Sequence, residues 1–383
     1  MTSSALKSRR LIFIIHNLQL GGAETALYEL LKRLAAKNYE IALVTILKEG
    51  SLTPKFNRIV PIYAVIRSTW LINLIPRFLF GGVIKRLYTR VCNVRSFLDK
   101  NLNPTESDVI LLCSDGYLIE KIANYATPCK KIAWIHTDIL KHNKYSIAYV
   151  KKHYSIFDHI IFVSATQMEI ATNEWAKGLR KSLVRNILRE QELKDAINLE
   201  KNYAPKKVKI VTCARLEKVK NLDFLIESFS IAKSVDPALR LQIIGDGSQK
   251  SSLKAKAKSL NLEDVEFLGA IDNPLNVIRD ADLFVSTSLY EGNPITVSEA
   301  SLLGVTTLFP NHLPIDTDFQ NLNWATSYEM TTPRKLAENI IKELEKKTQL
   351  IPSNLLIRLI VQINNQAFSD FISVLTRVTD VER

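Results

Sequence analysis

Leu289-Tyr290-Glu291-Gly292-Asn293-Pro294-Ile295-Thr296-Val297-Ser298-Glu299-Ala300 joins a tight turn, two carboxylates and the start of a helix. The residues before it, Ala281-Asp282-Leu283-Phe284-Val285-Ser286, are apolar and rich in β-formers, as in a parallel sheet covered on both faces. Gly292 and Pro294 stop that strand. Pro294 suits the first position of a helix through Val297, Ala300, Leu302 and Leu303, where the N–H it lacks would have no partner. The first turn of that helix, which Asn293, Pro294 and Ile295 lead into, then offers orphan N–H donors at the strand's carboxyl end, where donors and helix dipole both favour an anion such as phosphate. Glu291 falls in the turn and Glu299 about one and a half turns into the helix. Each can reach a different part of one elongated ligand. Ionised carboxylates only accept hydrogen bonds, so two of them beside a phosphate site suit a hydroxyl-rich group such as a sugar. Taken alone, the pattern reads equally as a solvent-facing Glu291 and a helix-surface Glu299.

Two further segments add to it. Val208-Lys209-Ile210-Val211-Thr212-Cys213-Ala214-Arg215-Leu216-Glu217-Lys218-Val219-Lys220-Asn221 reads as a strand, a basic turn and then a helix through Leu222, Leu225, Ile226 and Phe229. Arg215 and Lys220 sit at that strand's carboxyl end, and a planar fork with a point charge suits a diphosphate. Leu241-Gln242-Ile243-Ile244-Gly245-Asp246-Gly247 is another apolar strand ending in a glycine turn, which lets backbone approach a ligand. Three strand ends with polar groups are the expected placement of a ligand crevice in an open α/β sheet.

The ordered set resembles family 4 of the retaining glycosyltransferases. It comprises Ala214-Arg215-Leu216 with Lys220-Asn221, Gly245-Asp246-Gly247, Phe267-Leu268-Gly269 with Asn273-Pro274, and Glu291-Gly292 with Pro294 and Glu299-Ala300. Leu20-Gly21-Gly22-Ala23-Glu24, Ile135-His136-Thr137-Asp138 and Phe162-Val163-Ser164 extend the resemblance into the N-terminal half. It implies an α/β GT-B architecture: two Rossmann-like, doubly wound parallel-sheet domains facing a cleft, with the C-terminal helix crossing back to the N-terminal domain. The implied activity is retaining transfer of a sugar from a nucleotide-diphosphate sugar, a UDP-sugar, to a glycan or lipid-linked acceptor in bacterial surface polysaccharide synthesis. Residue by residue, it makes Arg215 and Lys220 the diphosphate clamp and Glu299 the ribose partner, and Gly245 and Asp246 border the base. Glu291 holds the transferred sugar, Gly21 and Gly22 let a loop close on phosphates and acceptor, and His136 faces the sugar. No cofactor or metal is implied. Fixed positive charge from Arg215, Lys220 and the helix after Pro294 would neutralise the leaving diphosphate. Asn293 stands where the family often has Phe, Phe309-Pro310-Asn311-His312-Leu313-Pro314 replaces a glycine-rich acidic stretch, and Val184-Arg185-Asn186-Ile187-Leu188 replaces an Asn-Gly loop, with Asn186 still placed to contact donor.

At 383 residues the chain exceeds the length at which one core stops growing. Apolar runs at 11–15, 41–46, 109–112, 132–135 and 160–163 alternate with helical patterns such as 25–36, and the alternation recurs in the second half. The expected organisation is 1–189, a polar linker from Arg189 through Lys207, 205–354, and a helical 355–383. Residues 1–200 hold 29 Lys or Arg against 17 Asp or Glu, while residues 201–383 hold 22 of each, so the net +12 lies wholly in the first half. No nucleic-acid fold or aromatic platform accompanies that charge, which argues against nucleic acid as partner. The stretch 69–90 is apolar and aromatic but broken by Pro76 and basic residues. It falls short of the ~20 apolar positions of a spanning helix and reads either as a helix pair on the sheet or as a contact with an anionic membrane surface.

Residues 1–15 lack a signal-peptide pattern, which gives a cytoplasmic expectation, peripheral on the membrane if 69–90 binds it. Cys92, Cys113, Cys129 and Cys213 are dispersed, and the six histidines show no ligand spacing, with His142 and His153 expected at the surface. The alternative from another class is a non-catalytic GT-B subunit binding a membrane or protein partner, which the intact Arg215, Lys220, Glu291 and Glu299 disfavour. A nicotinamide enzyme is weaker still, because the Gly21-Gly22 loop lacks the three-glycine spacing.

Overall fold

The computed structural model describes residues 9–48, 50–66, 93–114, 116–143, 145–199, 208–315, 319, 322–346 and 351–380. The stretch 69–90, expected as a helix pair on the sheet or as a membrane contact, and Cys92 lie outside the described residues, as do the side chain of His142 and the linker positions 200–207. The chain forms two units, Met1–Ile187 with Gln366–Arg383, and Leu188–Asn365.

The first unit carries a seven-stranded sheet in the order β3-β2-β1-β4-β5-β6-β7. Its strands are β1 Arg10–Ile15, β2 Glu40–Leu47, β3 Ile62–Ile66, β4 Val109–Leu112, β5 Lys130–Ile135, β6 His159–Phe162 and β7 Lys181–Leu183. All pairings are parallel. Side chains alternate across a strand, so β1 feeds two cores: Leu11, Phe13 and Ile15 on one face, Ile12 and Ile14 on the other. The first face is closed by the last half of a 27-residue helix, Ser353–Thr379. Its Ala367, Phe371, Val374, Leu375 and Val378 are buried there, and Phe371 lies 5.6 Å from the Trp134 ring and 6.4 Å from the Phe13 ring.

The second unit has a six-stranded sheet ordered β10-β9-β8-β11-β12-β13. These strands are β8 Lys209–Cys213, β9 Arg240–Ile244, β10 Val265–Gly269, β11 Leu283–Val285, β12 Thr306–Pro310 and β13 Ala325–Tyr328, again all parallel. Both sheets run outward from their first strand in two directions, the doubly wound Rossmann-like arrangement. The order reverses between β1 and β4 and between β8 and β11, and carboxyl-end crevices form at such reversals.

Several local readings change. The stretch taken as a polar linker opens with a helix, Glu190–Asn198, whose Leu193 and Ala196 are buried. Arg279 Nη1 donates to the Ala196 carbonyl at 3.0 Å, so this helix is part of the second unit. The strand expected over 281–286 shortens to Leu283–Val285. His153 is buried, not at the surface: the helix Ile147–Tyr154 turns Val150, His153 and Tyr154 inward at helical spacing, and His153 packs 4.4 Å from the Tyr149 ring.

Candidate functional site

In the second unit the site is built where β8 and β11 end. After Cys213 the chain turns through Ala214 and Arg215 into a short 3₁₀ turn, Lys218–Lys220, and Asn221 adopts φ 50°, the left-handed region, to begin the helix Leu222–Val235. Asn tolerates that region better than most side chains. Two hydrogen bonds tie this turn to the exit of β11: Leu289 N donates to Val219 O at 2.8 Å and Thr287 Oγ1 to Lys220 O at 2.9 Å. They bring the half-buried Lys220 ammonium onto the Glu291 carboxylate as an ion pair. The sequence reading treated these two as ligands of separate groups, and the structure brings them together. An ammonium has three donors, so Lys220 can hold Glu291 and still donate to an incoming anion. Arg215 is exposed at the same strand end.

Glu299 is the fifth residue of the helix Ile295–Leu302 and is only 1% exposed. Pro294 stands at the cap, one position earlier in the helix than the first turn expected for it. Arg189 Nε donates to Glu299 Oε1 at 2.8 Å and Nη2 donates to Oε2 at 2.7 Å. Burial alone would lower the Arg189 pKa, but the charge and hydrogen bonds of Glu299 outweigh it and raise the pKa. Arg189 is the residue of this site that the sequence reading missed, because it lies 110 positions from Glu299 in a stretch taken as linker.

Gly245 and Gly247 are needed by the chain itself. At φ +139°, a Cβ on Gly245 would stand 1.9 Å from the Ala214 carbonyl oxygen, and one on Gly247 would stand 2.5 Å from that of Leu216. The close approach is thus between the exits of β8 and β9. Asp246 is exposed, accepts from Gly247 N at 2.8 Å and pairs with Lys250 at 3.1 Å. The Gly247 hydrogen bond first, and then Lys250, hold its carboxyl below the ordinary value. Within the altered segment, His312 Nε2 lies 3.3 Å from the Ser288 carbonyl oxygen, beside the exit of β11.

In the first unit Gly21, extended at φ −165°, caps the helix Gly22–Ala36. Its carbonyl accepts from Thr25 N at 3.0 Å and Thr25 Oγ1 at 2.8 Å. His136 follows β5 with its ring 4.9 Å from that of Trp134. Neither ring nitrogen has a hydrogen-bond partner or solvent contact, and the same holds for Asn186 Oδ1. Burial lowers the His136 pKa to about 4, against a smaller opposing effect of Asn186. The imidazole is therefore neutral at pH 7, with one donor and one acceptor nitrogen.

Among the described residues no group of three or more His, Cys, Asp or Glu could hold a metal ion, and no helix is long and apolar enough to cross a membrane.

Residues 194–353 match the family model of glycosyl transferases group 1. An uncharacterized glycosyltransferase of Methanocaldococcus jannaschii is 28% identical over 236 residues, 58% of this chain and 58% of its own length. The O-antigen biosynthesis glycosyltransferase WclY of Escherichia coli is 26% identical over 208 residues, 50% of this chain and 56% of its own. The chain thus spans less than two thirds of the length of either. Among solved structures, the pneumococcal O-GlcNAc transferase GtfA in complex with UDP and GlcNAc aligns with a TM-score of 0.70 at 12% identity, covering 97% of this chain and 99% of that one. At that identity the likeness establishes the fold, and the two Rossmann-like units are of the GT-B type.

Proposed function

We propose that the chain is a retaining glycosyltransferase that moves a sugar from a nucleotide-diphosphate sugar, a UDP-sugar, to a glycan or lipid-linked acceptor in bacterial surface polysaccharide synthesis. The observation that carries this reading is the Lys220–Glu291 ion pair at the carboxyl ends of β8 and β11, where the sheet order reverses, with Arg215 and Glu299 on the segments that leave the same two strands. That constellation lies in the stretch that matches the glycosyl transferases group 1 family. The E. coli relative named for O-antigen biosynthesis supports the polysaccharide setting, and the pneumococcal structure with UDP and GlcNAc supports the donor class.

Chemically, the difficult charge is that of the leaving nucleoside diphosphate, which grows as the sugar–oxygen bond breaks. Arg215 and Lys220 supply fixed positive charge there, and the orphan N–H groups of the helix after Pro294 supply dipoles already oriented before the reaction. Glu291 accepts from sugar hydroxyls beside Lys220, and Glu299 accepts from the ribose. Asn293, Pro294 and Ile295 line the phosphate end, and Gly245 and Asp246 border the base. Gly21, Gly22 and His136 of the first unit keep the roles the family pattern implies. The retained anomeric configuration follows from the resemblance to family 4, with the acceptor hydroxyl entering on the leaving-group face. The excess of basic residues in the first half, together with a lipid-linked acceptor, favours work at the inner, anionic face of a membrane.

A thermal-shift screen of the full chain against UDP-, GDP- and ADP-sugars tests this, with Arg215→Ala and Glu299→Ala alongside. One donor class stabilises the wild type, by about 2.7 kcal/mol at a hundredfold excess over Kd, and both variants lose the shift. No shift with any donor would overturn the proposal.

A further inference from the structure

Glu299 is almost removed from solvent, and an ionised carboxylate in such a place is costly without a partner. Arg189 supplies that partner through two parallel hydrogen bonds, at 2.8 and 2.7 Å. A fork on both oxygens fixes the plane of the carboxylate as well as its charge, which a single lysine contact would not. Arg189 is itself held. It opens the helix Glu190–Asn198, and its Nη1 donates to the Asp272 carbonyl at 3.4 Å. The preceding residue, Leu188, donates its N–H to Asn364 Oδ1 at 2.8 Å and accepts from Asn364 Nδ2 at 3.1 Å. The guanidinium takes one lone pair of each Glu299 oxygen, and each oxygen keeps another.

On the reading given under Proposed function, we propose that Arg189 is a positioning residue of the donor site. It holds the Glu299 carboxylate in one orientation, so that the remaining lone pairs accept from the vicinal ribose hydroxyls of the nucleotide. Arg189 does not touch the reacting atoms; it acts through Glu299. The consequence is specific: removing the fork weakens recognition of ribose and leaves recognition of diphosphate and base in place.

Calorimetric titration of the full chain with UDP and 2′-deoxy-UDP tests this, with GDP, ADP and their deoxy forms in parallel. The variants are Arg189→Lys, Arg189→Met and Glu299→Gln, each with its unfolding midpoint measured. Wild type is expected to bind the ribose form about tenfold or more tightly than the deoxy form, the size of a hydrogen bond to a charged group. Arg189→Met and Glu299→Gln bind the two forms equally, and Arg189→Lys, which keeps the charge without the fork, loses at least half of the preference on a logarithmic scale. A merely structural arginine would lower the midpoint and leave the ribose preference intact. Full preference in a folded Arg189 variant therefore overturns the inference, and Arg189→Lys decides it if Arg189→Met does not fold. Nucleotide binding by wild type with no ribose preference overturns this inference alone, whereas no binding of any nucleotide overturns the functional reading with it.

Discussion

Two carboxylates eight residues apart occupy different electrostatic surroundings, and that difference is the chemistry of the site. Glu291 is half-buried against the Lys220 ammonium, which can rearrange around an anion. Glu299 is sealed against the Arg189 fork, which cannot move without stranding a buried charge. Arg189→Met should therefore destabilise the protein by about 3–5 kcal/mol, and adding Glu299→Leu should restore most of that loss, since the apolar pair leaves no unpaired charge. Urea unfolding of the two single variants and the double variant measures this. A double variant as unstable as the sum of the singles would contradict it. His136 gives a pH prediction. Its folded pKa of about 4 lies below the ordinary 6.5, so between those values the unfolded chain binds a proton that the folded chain does not. Stability is full above pH 6.5 and falls as pH drops towards 4, with a slope on the order of 1 kcal/mol per pH unit from this group. His159, also near 4, adds to the same window. Denaturant curves at pH 7 and pH 5 should show a smaller loss for His136→Phe than for wild type. At this scale Glu291, Lys220 and Glu299 were legible, because a turn, a glycine and a helix start fixed their places along the chain. Arg189 was not, because only the tertiary fold brings it across 110 positions.

Among the elements, the exits of β8 and β9 meet in backbone contact, and the Glu217 carboxylate adds hydrogen bonds from Ser248 N and Oγ at 3.0 and 2.7 Å. Gly245→Ala must move the Ala214 carbonyl from 1.9 Å of the new Cβ. Gly178, also at positive φ (+79°), has nothing within 4 Å of such an atom. The expected order in thermal unfolding is a loss of about 1 kcal/mol for Gly178→Ala, the cost of the backbone conformation alone, and a clearly larger one for Gly245→Ala. Equal losses would show that the strand exits can spread apart without cost. The central strands were legible because they are continuous apolar runs bounded by turns, and buried parallel strands need no alternation. The short edge strands β3 and β7 were not legible, since Ile62–Ile66 and Lys181–Leu183 are only partly buried and carry weak patterns. The helix Glu190–Asn198 was hidden by composition: only Leu193 and Ala196 point inward, and the other positions are chiefly charged or polar.

At the scale of the whole molecule, the last residues complete the first core. Ala367, Phe371, Val374, Leu375 and Val378 cover one face of the first sheet. A chain ending after residue 365 should lose the cooperative unfolding of the first unit while the second keeps its own transition, visible as one calorimetric peak lost and one kept. Retention of both would contradict the packing described. The doubly wound order of each sheet was legible from alternation and from the family resemblance. The helix Ser353–Thr379 was readable as helical periodicity over 355–383, and its return to the first unit only through the family resemblance; its continuity from residue 353 was not. Binding of a nucleotide-diphosphate sugar at the carboxyl end of the second sheet is tested by amide hydrogen exchange of the full chain with and without saturating UDP. Slowed exchange is expected to concentrate at 214–221, 245–247 and 289–299. Tight binding with protection confined to other segments, or with none in these three, would contradict it.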